Sequence, residues 1–217
     1  TYKPFMALAG LESGKRKVDT TIQDNGSWTF GGHTFRSGHP NGPTNLRRSI
    51  IKSSNVYYYM LANDMGVDLI HDEMQKFGFG ELTGIDIFGE VRGILPSTEW
   101  KRNAYKRPEQ KRWYSGETIS LGIGQGYNNF TMLQLAHATA TLANHGLKMK
   151  PHLVREVVDV ETKVATPIAK EPIGQLPLLA ENLDIIKRAM VGVNIEGTSA
   201  TSFIGAAYES AGKTGTA

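Results

Sequence analysis

Between Thr118 and Leu147 the chain carries no side chain that is charged at neutral pH, and a segment of that kind must either leave water or be broken up. A membrane helix needs about 20 consecutive apolar residues. Here Gly122, Gly124, Gln125, Gly126, Asn128 and Asn129 break the first half, and Gln134, His137, Asn144 and His145 interrupt the second. The segment therefore divides into a Gly-rich turn region and a helix from Thr131 to Asn144, capped by Thr131 and stopped by Gly146. With no charged face to offer water, that helix is expected in the interior.

A length of 217 residues favours one domain, possibly two small ones, with enough chain to bury a core. Cysteine is absent, which removes disulfides, thiolate nucleophiles and Cys-ligated metal centres together. The 24 Lys and Arg are interleaved with 21 Asp and Glu, for a formal net charge of +3, so the balance gives no case for a nucleic-acid partner. The chain opens Thr-Tyr-Lys-Pro, without an initiator Met or an apolar leader. Its first residue is read as a cut within a longer protein.

Elsewhere the pattern is helix-dominated. Phe5 to Leu11 is an apolar helical run behind Pro4, a good first-turn residue. Residues 19–45 are rich in Gly, Asn, Ser and Thr and read as a long loop. Two short helices flank Ser53-Ser54-Asn55 within Leu46 to Met65, and another covers Val67 to Phe77. A charged helix starts at the Ser97 cap, and Leu179 to Val193 is again helical. His152 to Val164 alternates as a hairpin, and Tyr208 to Ala217 is expected to enter a strand. The fold class expected is α+β, a helix-rich body with a small antiparallel sheet whose strands sit late in the chain and are incomplete within it.

Three short features carry candidate chemistry: Lys3, Ser53-Ser54-Asn55, and Lys213-Thr214-Gly215-Thr216. Singly, they read as a surface lysine, a helix cap and a polar turn. In this order and spacing they resemble the active-serine acyltransferases that bind penicillin, with the signature S-x-x-K, S-x-N and K-[ST]-G. Further stretches narrow the resemblance: Trp113 to Thr118, Gly122 to Tyr127 with Thr131 and Gln134, Ser37 to Gly42, Phe77 to Gly80, and Thr83 to Asp86. Together they are similar to class B penicillin-binding proteins, specifically the elongation-type penicillin-binding protein 2 group of Gram-negative bacteria. The septal paralogues differ where this chain has Gly124-Gln125-Gly126-Tyr127.

The resemblance implies a penicillin-binding-protein/serine β-lactamase-like transpeptidase fold, residues 1–217 spanning the transpeptidase domain from just after the nucleophile to the K-T-G strand. The nucleophilic Ser of the family pattern would be the residue immediately before Thr1. Lys3, lowered in pKa by burial and neighbouring cations, would take its proton. Ser53 would relay a proton to the leaving amine, and Asn55 would hold Lys3 and the substrate carbonyl. Lys213, Thr214, Gly215 and Thr216 would receive the acyl donor, Thr216 through an oxyanion-hole N–H. The implied reaction is D,D-transpeptidation of peptidoglycan stem peptides during cell-wall elongation, without a cofactor. The implied partners are stem peptides, lipid-linked precursors, β-lactam antibiotics, an elongation-complex glycosyltransferase and membrane proteins. The implied place is the periplasmic face of the inner membrane, anchored by an N-terminal segment outside this chain. Alternatives are a serine β-lactamase, for which Glu99 and Glu117 lie in the right interval without the expected surroundings, and an inactive homologue that binds wall precursors.

Other features receive ordinary readings. Asp24, His33 and His39 crowd one loop and are weak candidates for a zinc site, without an evident fourth ligand. Tyr57-Tyr58-Tyr59 reads as core packing. The basic run Lys101, Arg102, Lys106, Arg107, Lys111 and Arg112 reads as a solvated helix face, with attraction to acidic glycan or anionic lipid as the sharper reading.

Overall fold

A computed structural model describes residues 1–215. Its buried axis is α1 (Lys3–Glu12), apolar from Pro4 to Leu11, with Lys3 through Gly10 all buried. A helix of that composition has no wet face and has to be enclosed. Phe5 meets Phe77 and Phe79 edge-on at 5.3 and 5.2 Å, and Tyr2 stacks on Phe130 at 5.6 Å. Such pairs contribute about 0.5–1.5 kcal/mol each beyond area burial. The start of α1 is thereby fixed from several directions.

The loop-like stretch after α1 holds two antiparallel pairs, earlier in the chain than the expected sheet. β1 (Ile22–Asp24) pairs with a later strand, and between them β2 (Ser27–Phe30) and β3 (His33–Arg36) form a hairpin. Gly31 and Gly32, at φ +55° and +79°, supply the two positive angles that a two-residue hairpin turn requires. The partner of β1 is β4 (Gly42–Thr44), in a register that sets Asp24 opposite Gly42. Next come α2 (Leu46–Ile51), α3 (Asn55–Met65) and α4 (Val67–Lys76), as their caps and apolar spacing suggest.

The charged helix is α5 (Thr98–Ala104), capped by Ser97 and followed by the single turn α6 (Pro108–Lys111) and by α7 (Ser115–Leu121). The charge-free helix is α8 (Met132–Ala143), with Thr131 and Gln134 forming a capping box. Its expected interior position is only half met: Gln134, His137, Ala138, Thr141 and Leu142 are buried, while Met132, Ala136, Thr139, Ala140 and Ala143 are exposed. Small uncharged residues tolerate water, and a buried helix is marked by bulky apolar side chains on all sides, as α1 has.

Late strands form two further antiparallel pairs, β5 (Leu147–Met149) with β8 (Pro172–Gln175), and β6 (Glu156–Val158) with β7 (Ala165–Pro167). The second pair is the expected hairpin moved toward the C-terminus, its second strand starting just past Val164; it is turned by the Asp159 carboxylate, which accepts from the N–H groups of Glu161 and Thr162 at 3.0 and 2.7 Å. The long α9 (Ala180–Glu196) packs on α1 and α2, burying Leu183, Ile186, Ala189 and Val193. Residues 208–215 form no strand among the described residues. No helix among the described residues is long and apolar enough to cross a membrane.

Candidate active site

The first turn of α1 delivers Lys3 to a cleft. Its side chain is 6% exposed, and its Nζ donates to the Ser53 carbonyl at 2.6 Å, to Ser53 Oγ at 3.0 Å and to Asn55 Oδ1 at 2.6 Å. The Tyr58 ring lies beneath the same nitrogen at 5.5 Å. Every direct acceptor is a neutral oxygen. Burial first, and the nearby Lys213 charge second, push the Lys3 ammonium down to about 7, while Asp24 works in the opposite direction. Burial alone pushes Lys213 down to about 8.

Ser53 and Asn55 owe their placement to the junction between α2 and α3. Ser53 sits at φ +55°, the left-handed region in which a non-glycine residue is strained. Ser54 holds the junction: its Oγ accepts from the Tyr57 N–H at 3.1 Å, capping α3, and donates to Asp24 Oδ2 at 2.5 Å. Asp24 is fully buried. Its remaining acceptor positions take the Gly26 N–H at 2.8 Å and Asn41 Nδ2 at 2.7 Å.

The opposite side is formed by the end of the described chain. Lys213 Nζ donates to the same Ser53 Oγ at 2.9 Å and to the Thr214 carbonyl at 2.9 Å, so one hydroxyl joins two lysines far apart in sequence. Thr214 Oγ1 lies 2.7 Å from Thr198 Oγ1, and the Thr1 backbone nitrogen donates to the Thr214 carbonyl at 3.3 Å. Gly215 packs so closely on Thr1 that a β-carbon would collide with it. Thr216, the other residue expected on this wall, lies outside the described residues. The resulting cleft has a volume of about 170 Å³ and is lined by Thr1, Lys3, Ser53, Asn55, Thr214 and Gly215, together with Ile123 and Gln125.

The structure thus brings together Lys3, Ser53, Asn55, Lys213, Thr214 and Gly215. It does not bring together Asp24, His33 and His39. Asp24 faces Ser54 from beneath, while His33 on β3 and His39 in the following loop are exposed, and no cluster of three potential metal ligands occurs among the described residues. Of the glutamates weighed for a hydrolase, Glu99 is exposed and Glu117 is tied to Lys101; neither lines the cleft. The basic run needs one correction. Lys101 is 3% exposed rather than solvated, because it pairs with Glu117 beneath aromatic rings. The rest of the run is exposed. Gln125 and Ile123 were legible only as part of a motif, with nothing in their spacing to place them at the cleft.

Comparison with known proteins gives a consistent result. The chain matches the penicillin binding protein transpeptidase domain family over residues 1–217. It is 39% identical to the peptidoglycan D,D-transpeptidase MrdA of Haemophilus influenzae, over 100% of this chain and 34% of that protein. Among solved structures it is similar to Pseudomonas aeruginosa PBP2 in complex with WCK 5153, with a TM-score of 0.86 and 36% identity over 100% of this chain and 49% of that one. It is also similar to Helicobacter pylori PBP2 in its complex with MreC, with a TM-score of 0.82 and 28% identity over 100% of this chain and 38% of that one. The chain spans about a third of the length of the curated relative.

Proposed function

The chain belongs to the penicillin-binding-protein transpeptidase family, and from that premise we propose that it is the transpeptidase domain of an elongation-type enzyme that cross-links peptidoglycan stem peptides. The observation that carries the reading is the state of Lys3: a buried amine whose direct acceptors are all neutral, held near pKa 7 one helical turn from the position where the family places its serine. An amine poised there is a base that functions at neutral pH.

In this reading the serine immediately before Thr1 attacks the penultimate carbonyl of a D-alanyl-D-alanine stem peptide while Lys3 takes its proton. Ser53, hydrogen-bonded to Lys3 and Lys213, passes a proton to the departing D-alanine amine. Asn55 orients Lys3 and receives the substrate amide. The acyl group then leaves the serine oxygen for an amine of a neighbouring stem peptide. Lys213 and Thr214 attract the substrate's terminal carboxylate, Gly215 allows its backbone to approach, and the Thr216 N–H serves the oxyanion. No step calls for a cofactor. β-Lactams are mimics that trap the acyl-enzyme. The same reading places the domain at the periplasmic face of the inner membrane, with a glycosyltransferase and membrane proteins as partners, and lipid-linked precursors as the source of its peptides.

A fluorescent penicillin tests this in the full-length protein. The expected result is covalent labelling at the serine before Thr1, with an adduct that outlasts minutes. Loss of the label within seconds would favour a β-lactamase, and no labelling would favour a wall-precursor-binding protein without activity.

A further inference from the structure

One wall of the cleft is made by the turn segment 122–127, through Ile123 and Gln125. Gln125 is exposed there, and its side-chain amide has no hydrogen-bond partner among the described residues. The backbone beneath it is held tightly. Gly122 lies against the Tyr58 carbonyl, where a β-carbon would collide, and Gly124, at φ +80°, would bring one within 2.8 Å of Tyr2 Cβ. The Gln125 N–H donates to the Ser120 carbonyl at 3.0 Å.

The same segment is clamped from its far end. Tyr127 O–H donates to Glu117 Oε1 at 3.0 Å, and the Tyr114 N–H donates to Glu117 Oε2 at 2.9 Å. Lys101 Nζ donates to both carboxylate oxygens, 2.6 Å from Oε2. That nitrogen is itself enclosed by the rings of Trp113, Tyr114 and Tyr127, with centroids at 5.4, 5.4 and 5.3 Å. An ion pair whose lysine is buried and whose carboxylate is partly exposed is a poor stabiliser compared with well-packed apolar residues. What it does supply is a fixed direction, here for Tyr127 and hence for the turn that carries Gln125.

We propose that Gln125 contacts the peptide substrate through its side-chain amide, and that Lys101, Glu117 and Tyr127 are positioning residues that hold it at the cleft. A carboxamide presents one donor group and one acceptor and carries no charge. It therefore matches a backbone amide of the stem peptide, while the terminal carboxylate goes to Lys213. The inference rests on the transpeptidase reading above.

The test uses the full-length protein and a benzoyl-D-alanyl thioester, a donor that keeps one peptide-like amide, with penicillin labelling as the control for an intact serine. Gln125→Ala and Gln125→Met are expected to raise KM about tenfold with kcat within about twofold, the signature of lost binding. Tyr127→Phe, which keeps the ring, is expected to raise KM about threefold. The double variant Tyr127→Phe/Gln125→Ala should be no worse than Gln125→Ala alone, because Tyr127 acts through Gln125. An unchanged KM in Gln125→Ala, or a Tyr127→Phe effect of the same size with and without Gln125, overturns the inference while labelling stays intact. A wild-type protein that neither turns over the thioester nor takes the label overturns the functional reading, and the inference with it.

Discussion

Two lysines in this chain are almost completely buried, and they have opposite surroundings. Lys3, 6% exposed, meets neutral oxygens and the Tyr58 ring, with no carboxylate among its direct partners, and has a second lysine nearby. Lys101, 3% exposed, meets a carboxylate on both oxygens and the faces of three rings. Burial is the same for both; the partner decides what it does. An ammonium buried without a counter-charge is pushed toward the neutral amine and becomes a base. One that is paired with a carboxylate is held in place by it, and its value lies in the geometry it imposes.

That contrast breaks first at Lys3. Lys3→Met is expected to slow penicillin acylation of the full-length protein by a factor on the order of 10³, through loss of the base. Its thermal stability should nevertheless stay within about 1 kcal/mol of wild type, because relief of a buried amine without a directly bonded counter-charge offsets the three hydrogen bonds that are lost. A cost of several kcal/mol would mean that Lys3 is a structural element like Lys101.

The converse substitution is milder for chemistry and worse for folding. Lys101→Met strands the Glu117 carboxylate and is expected to cost about 2 kcal/mol in denaturant unfolding. Adding Glu117→Gln should recover part of that loss. Full additivity of the two would show that the pair has no mutual dependence, contrary to the contacts observed.

Much of this molecule could be read from its chain. The helix at Lys3, the two short helices around Ser53 to Asn55, the Ser97 and Thr131 caps and the hairpin turned at Asp159 all announce themselves through local signals. Pairings across distance do not. Lys101 looked solvated because five of its basic neighbours are, and nothing in the local pattern points to Glu117 on another helix. Asp24 looked like a metal candidate because two histidines follow in the same loop. The fold instead turns its carboxylate under Ser54, where it supports the strained junction at Ser53. The Gly31-Gly32 turn was a legible hairpin signal, hidden in a stretch whose Gly, Asn and Ser content read as plain loop.

The central claim, that Lys3 is a neutral-range base and Lys213 the cation beside it, is tested most directly by the pH dependence of penicillin acylation in the full-length protein. The rate should rise as Lys3 loses its proton near pH 7 and fall as Lys213 loses its own near pH 8, giving a narrow maximum between them. In Lys213→Ala the rising limb should move to higher pH, since the cation that depresses Lys3 is gone. A rising limb near 10.5, the ordinary lysine value, or a rate that ignores pH across this range, would contradict the account.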